Sequence, residues 1–331
     1  MQFEKILLIQ TAFIGDAVLM TPLLEKLHQH YPESKIDILV RKGNESLFDQ
    51  HPFINEVLIW NKKKAKYKNL FSTLSVIRKN KYDLLVNLQK HFSTGILSAF
   101  SKAKKVIGFK QNPFSIFFQI KINYENWNKG FHEIERNHFL IQKITDDVPG
   151  PMKLYPSSQN HENVSGYITE PYITICPASV WFTKQLPIAK WLELIKFYGP
   201  NYKIFLLGGP DDTNLCNNIK NNCGLDTVEV LAGKLSFLDS AALFEKSFLC
   251  FSNDSGPLHI ASAVNAKIIA FFLSTLPSFG FSPRSKEAKV IEIKEELKCR
   301  PCGNHGHQSC PKGHFKCGND LDLELDLLKN D

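Results

Sequence analysis

No stretch of this 331-residue chain is apolar for long enough to span a membrane as a helix. The longest strongly apolar run, Ile268 to Leu273, falls far short of the roughly 20 residues a span requires. A signal-peptide core is also missing. Met1-Gln2-Phe3-Glu4-Lys5 leads straight into the short apolar run Ile6-Leu7-Leu8-Ile9, and no small-residue cleavage site follows. The expected location is therefore cytoplasmic. There is no low-complexity tract, and 43% hydrophobic with 22% charged residues is the composition of an ordinary folded domain. No G-x-G-x-x-G follows either early strand pattern, which argues against a dinucleotide oxidoreductase. No basic motif interleaved with aromatics is present, which argues against nucleic acid as a partner.

What is present is length and rhythm. A chain of 331 residues exceeds the size at which a single core usually stops growing, so two domains are expected. In residues 1–150, β-rich runs at Lys5–Gln10, Lys35–Val40, Val57–Trp60, Leu84–Leu88 and Lys105–Ile107 alternate with amphipathic stretches. Ala17–His30 carries Val18, Leu19, Leu23, Leu24 and Leu27 at helical spacing, and further helical patterns lie near Leu70–Arg78 and Thr94–Phe100. Pro151, Pro156 and Pro171, among Ser and Asn, mark 151–171 as a linker. The alternation then restarts in 172–331, with strands at Tyr172–Cys176, Lys203–Leu207, Val228–Leu231, Phe248–Ser252 and Lys267–Phe272. Between them lie helices at Ile188–Tyr198, Thr213–Asn221, Phe237–Lys246 and Leu258–Val264, the third with Ser236 and Asp239 placed as a capping pair. The expected fold class is α/β, with two doubly wound parallel sheets facing a cleft between domains. Ligands should then bind beyond the carboxyl ends of the strands.

Charge divides unevenly. Residues 1–150 hold 22 Lys and Arg against 14 Asp and Glu, a net +8; the remainder is 18 against 19, a net −1. Lys62, Lys63, Lys64, Lys66 and Lys68 contribute most densely. This is either a solvated lysine-rich face or the footprint of an anionic partner or membrane surface.

Five segments carry chemistry. Thr11-Ala12-Phe13-Ile14-Gly15-Asp16 follows the first strand, and Asp16 there either takes a proton from an attacking hydroxyl or only caps the next helix. Pro177 to Lys184 follows the first strand of the second domain; Ser179, Thr183 and Lys184 can hold a diphosphate, unless the loop is simply exposed. Leu207-Gly208-Gly209-Pro210-Asp211-Asp212 offers a ribose-binding carboxylate, Asp212 or its neighbour Asp211, or a Gly-rich turn with an acidic cap. In Ser252-Asn253-Asp254-Ser255-Gly256-Pro257-Leu258-His259, Pro257 suits a helix start. Backbone N–H groups and the Ser255 hydroxyl would then meet phosphate, with His259 in the first turn. Last come Cys299, Cys302, Cys310 and Cys317, spaced C-x2-C-x7-C-x6-C: a candidate structural zinc site or a set of reduced, packed thiols.

Together these segments resemble glycosyltransferase family 9, the lipopolysaccharide heptosyltransferases. The resemblance lies in Ile6–Ile9 with Ile14-Gly15-Asp16-Ala17-Val18-Leu19-Met20-Thr21-Pro22, in Leu231-Ala232-Gly233-Lys234, in Asn253 to His259, and in Cys299-Arg300-Pro301-Cys302 with Cys310-Pro311. It implies a GT-B fold built from two Rossmann-like domains, an acceptor-binding one in 1–150 and a nucleotide-sugar-binding one in 172–331. It implies inverting, metal-independent heptosyl transfer from an ADP-activated donor to a lipopolysaccharide core or lipid A-type acceptor, with no cofactor required for catalysis. Asp16 then matches the general base, Lys184 the donor-phosphate lysine, Asp254, Ser255 and Gly256 the donor loop, and Asp212 falls near the ribose-binding acid. Ser179, Thr183 and His259 would assist the donor. Lys62, Lys63 and Lys64 would meet an anionic glycolipid acceptor at the inner-membrane surface. The Phe13-Ile14 pair departs from the family pattern, where small polar residues are frequent. Rival readings are a transferase or epimerase for another nucleotide sugar and a non-catalytic nucleotide-sugar-binding protein.

Overall fold

The computed structural model describes residues 2–62, 66–125 and 129–325. The chain divides into two compact units, Met1–Tyr155 and Pro156–Asp331. The first contains β1 (Lys5–Gln10), α1 (Ile14–Val18), α2 (Thr21–His30), β2 (Lys35–Arg41), β3 (Ile54–Trp60), α3 (Lys66–Asn80), β4 (Leu84–Asn87), α4 (Phe92–Ala99), β5 (Lys105–Phe109), β6 (Ile120–Ile122) and α5 (Glu133–His138). The second contains α6 (Ser158–Ser165), β7 (Tyr172–Cys176), α7 (Ile188–Tyr198), β8 (Lys203–Leu206), α8 (Thr213–Cys223), β9 (Val228–Val230), α9 (Phe237–Lys246), β10 (Leu249–Asn253), α10 (Gly256–Ala263), β11 (Ile268–Phe272), β12 (Ala288–Glu292) and α11 (Lys316–Asn319).

Both sheets have six strands, parallel throughout: β3-β2-β1-β4-β5-β6 in the first unit and β12-β11-β10-β7-β8-β9 in the second. Counted from its own first strand, each follows the order 3-2-1-4-5-6, the doubly wound arrangement expected from the alternation. Parallel strands covered by helices on both faces must be apolar on both sides. The central strands largely obey this: Leu84–Asn87, Tyr172–Cys176 and Ile268–Phe272 are buried at every position, with Asn87 and Thr174 their polar members.

Each unit has its own core. In the first, Leu70, Leu74 and Ile77 of α3 and Leu97 of α4 pack on Leu7, Leu39, Leu58 and Leu85 from the sheet. In the second, Trp191, Leu194 and Ile195 of α7 meet Ile173, Ile204, Phe251 and Phe271. Trp191 is fully buried, with its ring 5.4 Å from that of Phe271 and nearly perpendicular to it.

Three details differ from the pattern read in the sequence. The helix expected over Ala17–His30 is broken after Val18, because Pro22 lacks the N–H that a continuous helix would need. The stretch 151–171 contains α6, capped by Ser157 and docked through Asn160 and Asn163, whose amides donate to Asp239 at 2.8 and 3.0 Å. The edge strands β6 and β12 are short or half-exposed, so neither has the apolar run that marks the central strands. The Ser236–Asp239 pair does cap α9, with Asp239 N donating to Ser236 Oγ at 3.0 Å. Among the described residues, no helix is long and apolar enough to cross a membrane.

Trp191→Ala should cost about 3–5 kcal/mol of stability, since no neighbour can fill the volume of a fully buried indole. Urea unfolding followed by circular dichroism measures it, and a loss below about 1 kcal/mol would contradict the assigned core.

Candidate active site

In each sheet the winding direction reverses between the first and fourth strands, leaving a crevice at their carboxyl ends. In the first unit this crevice lies beyond β1 and β4. Asp16 sits there in α1, half-exposed, its carboxylate accepting from Phe13 N at 3.2 Å. Capping and exposure therefore coexist in one side chain. The loop around it is tied down: Lys62 Nζ donates to the Thr11 carbonyl at 2.8 Å, Asn44 Nδ2 to the Ala12 carbonyl at 3.2 Å, and Thr11 Oγ1 to Gln89 Oε1 at 2.5 Å.

Cations gather at the same edge. Burial, and then the neighbouring Arg41, push Lys62 down to about 8. Lys90 stands 3.3 Å from the centroid of the Tyr124 ring and within electrostatic reach of Asp16 and Glu133; burial lowers its pKa. His91 is lowered by burial and then by Lys62 and Lys90, so it stays neutral beside two ammonium groups. The guanidinium of Arg41 lies 5.1 Å from the Phe13 ring centroid. Lys62 stands at this edge, while Lys63 and Lys64 lie outside the described residues. Arg41, Lys90 and His91 were not singled out from sequence. Their positions at the ends of β2 and β4 were the available signal.

In the second unit the crevice lies beyond β7 and β10. Lys184 Nζ and Asp254 Oδ2 are 2.6 Å apart, and Thr275 Oγ1 donates to the same carboxylate at 2.7 Å. Asn253 locks the two loops together: its amide donates to the Pro177 carbonyl at 2.8 Å and its Oδ1 accepts from Leu186 N at 3.0 Å. α10 starts at Gly256 with Ser255 as its cap residue, yet the Ser255 hydroxyl makes no capping bond. Among the described residues it is buried with no hydrogen-bond partner, as is the Ser274 hydroxyl. Thr183 pairs with the strap 303–309, receiving His307 N on its hydroxyl at 2.8 Å. Gly306 in that strap has φ +82°, and a β-carbon there would come within 2.8 Å of Thr183 Oγ1 and 3.0 Å of Ser274 Oγ. Arg300 fixes the strap's base by donating to the carbonyls of Phe272, Leu273 and Thr275.

Other candidates take different places. His259 is in the first turn of α10 but buried, and burial pushes it down to about 4, so it presents no positive charge to phosphate at neutral pH. Asp212 receives Gly209 N at 2.8 Å and so closes the turn Pro210–Asp212; its carboxylate acts as a cap in the structure. The Ser179 carbonyl accepts from Gln185 Nε2 at 2.7 Å. Among the described residues, no group of three or more His, Cys, Asp or Glu side chains could hold a metal ion. The four candidate zinc ligands lie within electrostatic reach of one another, and three of them also contact the protein around them. Cys302 Sγ donates to the Cys299 carbonyl, Cys310 Sγ accepts from Phe315 N, and Cys317 is buried in the second core.

Two doubly wound parallel sheets, with an acid at one carboxyl edge and a lysine beside a buried serine at the other, give the chain the architecture of the GT-B class. The family model described as glycosyltransferase family 9 (heptosyltransferase) matches residues 71–309. The chain is similar to lipopolysaccharide heptosyltransferase 3 of Escherichia coli, 30% identical over 277 residues that cover 80% of this chain and 82% of the relative. Among solved structures it resembles E. coli ADP-heptose lps heptosyltransferase II, with a TM-score of 0.77 at 21% identity over 99% of this chain and 100% of that one. It also resembles E. coli heptosyltransferase WaaC with ADP-2-deoxy-2-fluoro heptose, with a TM-score of 0.74 at 19% identity, covering 99% and 100%. The chain belongs to glycosyltransferase family 9 and is a glycosyltransferase.

The buried imidazole gives a pH test. His259 titrates near 6.5 when unfolded and near 4 when folded, so on acidification the unfolded state takes up the proton first. Its contribution to stability is complete above about pH 6.5 and falls away toward pH 4. His259→Gln should reduce the loss of stability between pH 7.5 and pH 5 by about 2 kcal/mol. Urea midpoints at the two pH values measure it, and an unchanged pH dependence would contradict the burial of a neutral ring.

Proposed function

We propose that this glycosyltransferase moves a heptose from an ADP-activated donor onto a lipopolysaccharide core or lipid A-type acceptor, with inversion at the anomeric carbon. One observation carries the donor half of this reading: among the described residues two buried hydroxyls have no partner, Ser255, which follows the Asp254 paired with Lys184, and Ser274, which with Lys184 Cγ crowds the same point at Gly306. Buried hydroxyls left without partners cost free energy, and the oxygens of a diphosphate would satisfy them. Lys184 and the unpaired N–H groups of the α10 N-terminus would share the negative charge. Support for the sugar and nucleotide comes from the relatives named above, one of which was captured with a fluorinated ADP-heptose.

In the proposed reaction Asp16 takes the proton from an acceptor hydroxyl as its oxygen attacks the anomeric carbon. The bond from that carbon to the diphosphate breaks, and ADP leaves. Lys184 and the α10 start meet the charge that grows on the departing phosphate, so they stabilise the transition state more than the ground state. In this reading Lys184 exchanges part of its contact with Asp254 for the phosphate. Asp254, held by Thr275, keeps the ammonium aimed. On the first unit, Lys62, Lys90 and Arg41 would meet anionic groups of the acceptor beside the base.

Asp16→Ala should lower transfer by about 100- to 10,000-fold, the range for a lost general base, with ADP affinity unchanged. Turnover measured with ADP-heptose and a lipopolysaccharide acceptor decides this, and wild-type turnover in the variant would dismiss Asp16 as the base.

Lys184→Ala should weaken ADP binding about 10- to 100-fold, as expected for a charge-assisted contact to phosphate. Isothermal titration calorimetry reads it, and unchanged affinity would remove Lys184 from the donor site.

A further inference from the structure

A second feature of the first unit plays no part in donor binding or proton transfer. Residues 57–124 contain a single acid, Asp83, against fourteen Lys and Arg, and Asp83 is itself paired with Lys104 at 2.7 Å. Within this stretch, α3, α4 and the turn Ser115–Phe117 pack together on one face of the first sheet. Their outer surface is not covered. Ile116 is 74% exposed, Phe92 61% and Phe117 54%, and Phe100 is exposed beside them. The rings of Phe92, Phe100, Phe114 and Phe117 touch in sequence, with centroids 5.1 to 6.3 Å apart. Tyr67 and Phe71, four residues apart on α3, extend the apolar surface. Single exposed apolar residues are ordinary, but a contiguous aromatic cluster on a soluble surface marks an interaction site.

We propose that this face docks the enzyme on an anionic lipid bilayer. Charge identifies the occupant. Arg78, Lys79, Lys102 and Lys110 are all exposed around the aromatic cluster, and Arg78 Nε donates to the Phe100 carbonyl at 2.7 Å. Aromatic and aliphatic side chains that enter the headgroup boundary, ringed by cations that meet lipid phosphates, are the two components of interfacial binding. A second copy of the chain presenting this face would set cations against cations. An acidic protein would satisfy the lysines but leave the rings without an apolar medium.

The patch also has a direction. Phe92 directly follows His91, and Asn112 Nδ2 donates to the carbonyls of Gln89 and His91 at 3.0 and 3.1 Å. The aromatic cluster is therefore continuous with the carboxyl edge that holds Lys90 and, within its electrostatic reach, Asp16. Docking would bring that edge to the headgroup layer, where a lipid-anchored acceptor presents its sugar hydroxyls. This purpose rests on the proposed acceptor; the docking itself does not.

The test is vesicle co-sedimentation of the full-length protein without donor or acceptor. Two vesicle types are compared, phosphatidylglycerol with phosphatidylethanolamine and phosphatidylcholine alone. The wild type should partition onto the anionic vesicles and be released by salt. Ile116→Ser with Phe117→Ser should reduce partitioning about tenfold or more, since both side chains are exposed and their loss spares the core. Arg78→Glu with Lys102→Glu should do the same. Each variant should keep wild-type turnover on a detergent-free, water-soluble acceptor fragment while losing it on acceptor embedded in vesicles. Equal, weak binding of the wild type to both vesicle types would overturn the proposal. So would unchanged partitioning of both variants, or a dimer in sedimentation velocity that the serine variant abolishes. Because vesicle binding is read without sugar chemistry, failure of the heptosyl assignment leaves that measurement intact, and the two readings fail separately.

Discussion

A parallel strand can be reached only by crossing back over the sheet, so every strand in such a sheet ends at the same edge. This constraint governs both units. With the order 3-2-1-4-5-6, helices after the first and fourth strands leave in opposite senses, and the loops between them part to form a crevice. Asp16 and Lys90 follow β1 and β4; Lys184 and Asp254 follow β7 and β10. Residues separated by some 70 positions in the chain thus become neighbours because two strands share a hydrogen-bonded register.

Electrostatics then sets what each crevice can do. In the second unit an ammonium and a carboxylate compensate one another, and the pair is braced by Thr275 and by the strap that Arg300 pins to the end of β11. Such a pair contributes little to net stability once desolvation is counted, but it holds a charged head in one direction. In the first unit the charges are cationic and partly desolvated, which lowers Lys62 and Lys90 and keeps His91 neutral. One edge is organised around a helix start suited to phosphate, the other around a carboxylate among lysines. That division matches the two substrates of a glycosyl transfer.

Much of the fold was legible because parallel sheets write themselves plainly. Runs such as Ile173–Cys176 and Ile268–Phe272 are buried at every position and almost wholly apolar, as expected of strands covered on both faces. Edge strands β6 and β12 escaped because they are short or half-exposed and carry lysine or glutamate among few apolar residues. The loop residues Asp16, Lys184, Asp254 and Ser255 could be picked out because Gly, Pro and Ser at strand ends signal a turn into a helix. Arg41, Lys90 and His91 could not, since an isolated polar side chain at or after a strand end looks like any solvated one. For Asp212 and His259 the structure adds what their motifs do not show: the first closes its own turn, and the second is buried and neutral.

From its amino acids alone this chain determined two α/β units, a basic first half, the positions of the strand-end loops and the resemblance that named its family. Those are properties of local pattern, carried by the period of apolar residues and by the backbone preferences of glycine and proline. Tertiary structure decided which loops meet, which hydroxyls are left without partners, that the clustered cysteines have protein partners of their own, and that scattered phenylalanines form one exposed face. Each depends on burial and on distance between residues far apart in the chain, and neither quantity is encoded in any local stretch of sequence.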